Sequence, residues 1–426
     1  MKALHKKLLS VLLVCALLIG GAVMVSKGVS SATETPENAS TDAEGFAESG
    51  EAQEAEKSAS TDTDSAADSG QEIAGQQEAY ESAAADLIFW YEDASYTAFF
   101  EEAAVRYFAQ TGIKVSVECQ STLDYIGDIY DKTMQDDAFP DVYLIPGDNL
   151  EEAYLYGLVS VNEKGTADTR AVEKAVAAST YGDKLLGYPL AFNTCVFIYQ
   201  PDYFGARPES LQSIIDYSNE NEPGENVEYL LEWDVNDAFY DFPFIGNSVT
   251  FEKNETDVMN VIYNEELYQQ DLEYFDTILA SFSVDAAQVS EEHIIENFLA
   301  GRTLSAIIDT DSLYRLEDYR YELMKMPNLN ETLPTVTCAT TDMLVVNDFT
   351  EKPDAAAEFA RFVTVTMADE LYECSGHFSV IPSEQPQAAE QTAFDAYEAS
   401  VLVTDSKDAR DFWVNLQETI LKYFDS

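Results

Sequence analysis

Residues 87–118 read LIFWYEDASYTAFFEEAAVRYFAQTGIKVSVE and contain the first strand, helix and strand of the predicted fold. Residues 87–91 are all apolar or aromatic, which is typical of a strand buried on both faces. From Phe100 onward, apolar residues recur at helical spacing up to Gly112, a residue type that often ends helices. Residues 113–118 then alternate between apolar and polar side chains, which predicts a second strand.

This alternation of strand and helix continues along the chain and predicts an α/β fold with mainly parallel sheets covered by helices on both faces. The further predicted strands are residues 142–145, 185–191, 195–199, 304–308, 321–326 and 335–346. The further predicted helices are residues 123–134, 150–157, 210–217, 257–282, 290–300, a helix from 353 onward, and 405–423. Residues 86–426, about 340 in number, are too many for one ordinary core and enough for two lobes.

Polar residues follow two of the predicted strands. Ligands of parallel sheets bind beyond the carboxyl ends of the strands, and these ends carry Tyr91-Glu92-Asp93 and Pro146-Gly147-Asp148. Trp90 and Tyr91 point to opposite faces, so one of them faces the core and the other is free to face a cleft. We therefore predict that Tyr91, Glu92 and Asp148 contact a ligand.

The N-terminus has the order of an export signal. Three lysines precede the apolar residues 8–25, which is typical of a secretory signal peptide and is also just long enough for a retained membrane anchor. Small residues at 30–32 offer a cleavage site. Lipidation at Cys15 is a third alternative, but it fits less well because Val14 precedes Cys15 where a small residue is expected.

Residues 33–85 are rich in Ala, Ser, Thr, Glu and Asp, with 14 acidic residues and one basic residue. Such a composition cannot bury enough apolar surface to offset its ordering entropy, so it predicts a disordered linker. Residues 1–32 carry four lysines and no acid, so that residues 86–426 hold −47 of the net charge of −56. This acidity argues against binding to nucleic acid or to anionic membranes.

Motifs for catalysis and for metal binding are missing from the sequence. His293 and His377 are the only histidines after the signal, and no HExxH, GxSxG, GxGxxG or P-loop motif occurs. The four cysteines of residues 86–426 show no metal-binding spacing; they allow three disulfide pairings, but we expect mostly buried free thiols. We predict no cofactor, no metal and no enzymatic activity.

Five places in the sequence, three of them made of two segments each, resemble the extracellular solute-binding proteins of the maltose-binding type. The resemblance lies in the order and spacing of these segments. They are residues 87–91 with 108–115, residues 139–144 with 156–158, residues 187–194 with 199–204, residues 298–302, and residues 353–362. The sequence departs from the family pattern at residues 337–341 and 375–382. The resemblance therefore predicts the family, but it predicts the class of ligand less firmly.

The resemblance implies a periplasmic-binding-protein-like fold of two lobes, with three hinge crossings near residues 191–194, 336–340 and 379–382. Lobe one would comprise residues 86–191 and 338–379, and lobe two residues 194–336 and 382–426. The implied function is that of a monomeric cell-surface receptor, tethered or secreted, that closes on a sugar or oligosaccharide and delivers it to an ABC permease. A cationic ligand such as a polyamine is one alternative, and a secreted glycan-acting enzyme is another.

The resemblance adds further candidates for ligand contact. Asn193 lies at the first crossing, where its amide can bind ligand hydroxyls or tie the hinge backbone. Trp233 lies between two acidic residues, which favours an exposed aromatic platform for a sugar ring. Asp309 follows a buried strand, whereas Asp311 is better explained as a helix cap. His377 and Phe378 precede the third crossing and complete the predicted site.

Overall fold

The structure is a computed structural model that describes residues 80–135, 138–162, 170–253, 259–282, 284, 286, 289–403 and 406–424. The predicted signal or anchor and residues 33–79 of the predicted linker lie outside these residues. Residues 80–85 of the linker are described, and they pack on the folded chain. The Tyr80 ring lies edge-on to Phe108, and its hydroxyl donates to the Val115 carbonyl. The linker prediction is therefore wrong for residues 80–85.

The strands run in chain order through both halves of the sequence. They are β1 (Leu87–Tyr91), β2 (Val115–Cys119), β3 (Val142–Pro146), β4 (Thr180–Tyr181), β5 (Lys184–Leu185), β6 (Gly187–Tyr199), β7 (Val249–Lys253), β8 (Met259–Tyr263), β9 (Ser305–Asp309), β10 (Glu322–Met324), β11 (Cys338–Val346), β12 (Phe378–Ser379) and β13 (Val401–Leu402). In the described residues, nine of them form one sheet whose main path is β10-β6-β11-β3-β1-β2. Strands β9, β12 and β13 attach to β6 or β11, while β4 pairs with β5 and β7 with β8.

The helices alternate with these strands and confirm the predicted α/β class. They are α1 (Thr97–Thr111), α2 (Tyr125–Met134), α3 (Leu150–Leu155), α4 (Glu173–Ala178), α5 (Leu211–Glu220), α6 (Ala238–Asp241), α7 (Glu265–Ser281), α8 (Glu291–Leu299), α9 (Pro353–Arg361), α10 (Leu371–Ser375), α11 (Ala388–Ala399) and α12 (Lys407–Leu421). Local sequence sets several of these boundaries. Ser210 caps α5 and Ser290 caps α8 through their hydroxyls, and Gly112 ends α1 in the left-handed region at φ 74°.

The pairing of the strands is mixed. β1 is parallel to both β2 and β3, as the alternation of strand and helix predicts. β6 and β11, however, are antiparallel to each other, and β11 is antiparallel to β3. Mainly parallel pairing thus holds for the N-terminal part of the sheet and not for β6 and β11.

Two predicted elements differ from those observed. We predicted separate strands at 185–191 and 195–199, but β6 runs without interruption because it changes partner from β11 to β9 between Thr194 and Cys195. We predicted a helix over 257–282, but its first residues form β8, which pairs with β7. Only the later part of that stretch is helical, as α7.

Two large apolar cores define two lobes. The core of lobe one lies between β1, α1 and α9, and it includes Phe89, Phe100 and Phe359. The core of lobe two includes Trp233 and Phe275 and is built from β6, β9, α7 and α12 together with their connections. A further cluster around Phe192, Ile308 and Tyr397 packs where β6, β9 and α11 meet.

Candidate functional site

A cavity of about 670 Å³ lies beside the end of β3 and the β4–β5 hairpin. Asp148, Tyr181 and Thr341 line it together with Asn247 and Phe251. This volume is within the roughly 300–1,000 Å³ that is usual for small-molecule sites. Because β1 and β3 are parallel and both end at this edge of the sheet, the position agrees with the strand-end rule.

Asp148 lines this cavity and is largely buried. It follows β3 on the short 3-10 turn Gly147–Asn149, which leads directly into α3. Its Oδ1 atom is buried and accepts no hydrogen bond from the described residues. Burial raises the pKa of Asp148, although its own backbone N–H and that of Asn149 favour the charged form.

Two aromatic side chains line the same cavity. Tyr181 stands in the β4–β5 hairpin, where its ring lies 5.3 Å from that of Tyr154. Phe251 lies on β7 and stacks on Trp413 at 6.0 Å between ring centroids. Aromatic rings held in this way offer apolar faces to a ligand without a large loss of side-chain entropy.

Asn193 ties β6 to the chain that leaves β9. Its amide nitrogen donates to Asp309 Oδ2 at 2.9 Å, and its amide oxygen accepts from the backbone N–H and the hydroxyl of Thr310. These bonds occupy most of the hydrogen-bonding capacity of the amide. In this structure Asn193 therefore fixes the backbone at the first predicted crossing, which is the alternative to ligand contact that the sequence left open.

Asp309, not Asp311, caps the 3-10 helix Thr310–Leu316. Its Oδ1 accepts from the backbone N–H of Ser312 at 2.9 Å. Glu291 lies beside it, and burial together with the charge of Asp309 raises the pKa of Glu291 to about 7. The prediction that Asp311 is a cap is wrong, because its carboxylate points to His377 instead, at 3.0 Å from Nδ1.

Three predicted contact residues are instead core residues. Tyr91 is 1% exposed and donates to Thr97 Oγ1, and Trp233 is 0% exposed and donates from Nε1 to Asp241 Oδ1. Phe378 is buried and stacks on Tyr372. The predictions that these three side chains contact the ligand are therefore wrong.

The other two predicted residues lie at the end of β1 and before β12. Glu92 is exposed and does not line the cavity. His377 is buried, and both of its ring nitrogens face protein atoms: Nε2 lies 2.6 Å from Ser95 Oγ, and Nδ1 faces Asp311. His377 thus connects Ser95 and Asp311 rather than presenting a free imidazole to a ligand.

Sequence reasoning missed several residues of the cleft. Tyr181 precedes Gly182, whose φ of 62° marks a tight hairpin, but the hairpin signal does not reveal its approach to Asp148. Asp342 does not line the cavity but follows the lining residue Thr341, and it was detectable because it is a lone carboxylate within the apolar strand β11. Its burial raises its pKa to about 6, and it accepts a hydrogen bond from Tyr96. Phe251 lies in an alternating segment that also predicts a strand.

The cysteines and acidic residues of the described chain do not assemble a metal centre: no cluster of His, Cys, Asp and Glu there has the arrangement of a metal site. All four cysteines are free thiols, with Cys195 and Cys338 buried, Cys374 partly exposed and Cys119 exposed. The expectation of mostly buried thiols therefore holds for two of them. Among the described helices, none has the length and apolarity needed to cross a membrane.

Comparisons with known proteins agree with this architecture. Residues 100–396 match the family model described as bacterial extracellular solute-binding protein. Similar solved structures include an extracellular solute-binding protein from Staphylococcus aureus in complex with maltose, at 15% identity and a TM-score of 0.65. A cyclo/maltodextrin-binding protein with maltotetraose has 16% identity and a TM-score of 0.65, and the Thermus thermophilus maltotriose binding protein has 16% and 0.64.

These likenesses cover 79% of this chain and 91%, 91% and 93% of the three solved chains. At such identities they show the fold, and they confirm the two-lobed α/β architecture. No curated protein matches the sequence.

Proposed function

The chain belongs to the family of bacterial extracellular solute-binding proteins, and we propose that it closes on a sugar or oligosaccharide and delivers it to an ABC permease. The observation that carries this proposal is the cavity of about 670 Å³ that is lined by the carboxylate residue Asp148 and by the aromatic residues Tyr181 and Phe251. Sugars have apolar ring faces and hydroxyl edges, and they need both kinds of group. The maltose and maltodextrin ligands of the similar solved structures also support this ligand class.

We propose the lobe boundaries at residues 86–191 with 338–379 for lobe one and residues 194–336 with 382–426 for lobe two. The change of partner in β6 supports the first crossing. The second crossing coincides with the start of β11, where Cys338 belongs to the core of lobe two and Leu344 to that of lobe one. Rotation about these strands would open and close the cleft.

In this proposal the protein acts outside the cell as a monomer, without turnover of its ligand. The apolar residues 8–25 would export the chain and either anchor it or be cleaved, and the acidic residues that follow would space the receptor from the membrane. The permease subunits would be its membrane partners.

The test is titration of the purified chain with maltose, maltotriose and maltotetraose, followed by calorimetry and by thermal unfolding. Binding to the native state should raise the melting temperature, and above the dissociation constant the rise should grow with the logarithm of the ligand concentration. The variant Asp148→Asn should weaken the affinity by about tenfold or more, because a hydrogen bond to a charged group contributes about 1.5–3 kcal/mol. Its stability without ligand should stay equal or rise, because burial disfavours the charge of Asp148.

The control is Asp318→Asn, a change at an exposed carboxylate, which should leave the affinity unchanged. Absence of binding by all three sugars would contradict the proposed ligand class. Equal affinity of Asp148→Asn and the unaltered protein would remove Asp148 from the site.

A further inference from the structure

His377 bridges the two proposed lobes just before the third crossing. Its ring is stacked on Tyr96 of lobe one, with 4.0 Å between centroids and an interplanar angle of 11°. Its Nε2 lies 2.6 Å from Ser95 Oγ, also in lobe one. Its Nδ1 lies 3.0 Å from Asp311 Oδ1, on the 3-10 helix of lobe two. The ring is thus fixed in lobe one and points one nitrogen across to lobe two.

The hydrogen-bond network assigns a proton to both ring nitrogens. The Ser95 hydroxyl donates its single proton to Asp93 Oδ1 at 2.6 Å, so Ser95 Oγ must accept from Nε2–H of His377. A bare Nδ1 would then face the oxygen of Asp311 with one lone pair against another. Neither Nδ1 nor this Asp311 oxygen has a hydrogen-bond partner in the described residues, so their contact at 3.0 Å is an ion-pair contact and not an aligned hydrogen bond. Repulsion between two lone pairs at this distance is avoided when Nδ1 carries a further proton.

Acidic residues from three different elements lie around His377. The turn after β1 contributes Asp93, whose Oδ2 lies 3.7 Å from Nε2. β11 contributes Asp342, which accepts a hydrogen bond from the stacked Tyr96 at 2.7 Å, and the 3-10 helix contributes Asp311. Tyr314 of the same helix packs against Gly376. In the described part of the chain no Lys or Arg forms an ion pair with these three carboxylates.

We infer that His377 is a positioning residue that captures one proton when the cleft closes, and that the protonated ring then holds Asp311 of lobe two against Ser95 and Asp93 of lobe one. This inference rests on the proposed function, since it concerns the closing of the same cleft. Opening the lobes would separate His377 from Asp311 and release the proton. Closure, and with it ligand affinity, would then depend on pH.

The direction of this dependence follows from the environment of the ring. Burial lowers the pKa of His377, but the nearby charges of Asp311, Asp342 and Asp93 outweigh it and raise the pKa to about 9 from an ordinary value of 6.5. Because the pKa of His377 is raised to about 9 where it faces these carboxylates, the stabilisation is present near pH 6.5 and is lost as the pH rises through about 9; it is also lost below about pH 6, where Asp311 takes up a proton. The pKa values of Asp311 and Asp342 are also raised, to about 6, chiefly by burial.

Histidine NMR of the full chain tests the proton directly and without ligand. The sequence has three histidines, and His293→Asn and His377→Asn assign the two that lie in the described residues. His377 should remain a doubly protonated imidazolium until about pH 9, whereas in Asp311→Asn it should titrate at least about one unit lower. Titration of His377 near its ordinary pKa in the unaltered protein would overturn the inference.

The closing itself is measured by the distance between two spin labels, on Gln110→Cys in lobe one and Lys325→Cys in lobe two, with Cys119 and Cys374 changed to Ser. The distance at about pH 7 should be shorter than at about pH 10 and should lengthen at pH 7 when His377→Asn is added. His293→Asn should leave it unchanged. Equal distances at both pH values, or no effect of His377→Asn, would overturn the inference.

Maltotriose affinity provides the last readout. It should fall by about tenfold or more between about pH 7 and pH 10 in the unaltered protein, and by clearly less in His377→Asn. An equal fall in both proteins would contradict the role of His377. If maltotriose fails to bind at every pH, the proposed ligand class is wrong. The NMR titration and the label distances would still test the role of the contact between His377 and Asp311.

Discussion

The environment of Trp233 explains why its polar neighbours in the sequence did not reveal that its side chain is buried. Glu232 is itself buried, and its carboxylate accepts hydrogen bonds from Asn297 and from Thr303. Trp233 is fully buried, and its Nε1 donates to Asp241. A charged residue in sequence thus indicates exposure only if its charge has no partner within the fold, and the sequence does not show such partners.

The burial of Trp233 predicts a loss of stability rather than of binding. Trp233→Ala should lower the free energy of unfolding by about 3–5 kcal/mol, because it removes a large buried ring and leaves the partner Asp241 without its donor. The affinity per folded molecule should not change. Urea denaturation gives the first quantity and sugar titration the second.

The control for this variant is Phe349→Ala, which truncates an aromatic residue that is 46% exposed. It should cost less than about 1 kcal/mol. A weakened affinity of Trp233→Ala at nearly unchanged stability would restore Trp233 to the binding site.

At the scale of single elements, β6 is one strand that pairs with two partners, whereas the sequence predicted two separate strands. Its first half pairs with β11 in lobe one and its second half with β9 in lobe two. A continuous strand limits the directions in which the lobes can rotate, because its backbone hydrogen bonds hold both sides. Asn193, which lies at the change of partner, adds side-chain hydrogen bonds to the same point.

Helix α7 carries a buried carboxylate with no evident role in the cleft. Asp271 is 0% exposed, and neither of its oxygens has a hydrogen-bond partner in the described residues. The nearby Ser248 hydroxyl favours the charged form only weakly, because it donates its proton to the Ile245 carbonyl. Burial therefore dominates and raises the pKa of Asp271 to about 6.

This raised pKa predicts that Asp271→Asn stabilises the protein near pH 7.5, by about 1–3 kcal/mol. A raised folded-state pKa means that charging Asp271 costs stability, so the unaltered protein should gain stability as the pH falls from about 7 through 6. Asp271→Asn cannot take up this proton, so it should not show the part of the gain in stability that comes from Asp271. Urea denaturation at several pH values measures both effects.

Asp276 lies on the same helix but is exposed, so Asp276→Asn is the matched control and should change stability by less than about 0.5 kcal/mol. Equal pH dependence in Asp271→Asn and the unaltered protein would show that Asp271 is not the titrating group.

The whole molecule is dominated by negative charge. The chain has 79 acidic and 23 basic residues, so most carboxylates cannot have a basic partner. The ion pairs of Arg106 with Glu102 and Glu370, and that of Arg320 with Asp202, lie at exposed positions, where such pairs contribute little. Repulsion between unpaired carboxylates therefore opposes the compact state.

We expect salt to stabilise this protein. Raising the ionic strength from about 0.01 M to about 0.15 M shortens the Debye length from about 30 Å to about 8 Å, which screens the repulsion. The melting temperature should rise by about 1–2 °C, corresponding to roughly 1 kcal/mol for a chain of this size. A fall of the melting temperature over this range would mean that attractive charge pairs outweigh the repulsion.

The sequence by itself determined the α/β class, the strand-end position of Asp148 and the likeness to a solute-binding family, because these depend on local periodicity and on the order of segments. Only the tertiary structure decided which side chains meet. The burial of Trp233 depends on partners far along the chain, and the pairing of His377 with Ser95 and Asp311 joins residues 282 and 66 positions apart. No local pattern encodes such a contact, because it depends on how the strands that carry those residues pair and on how the lobes close.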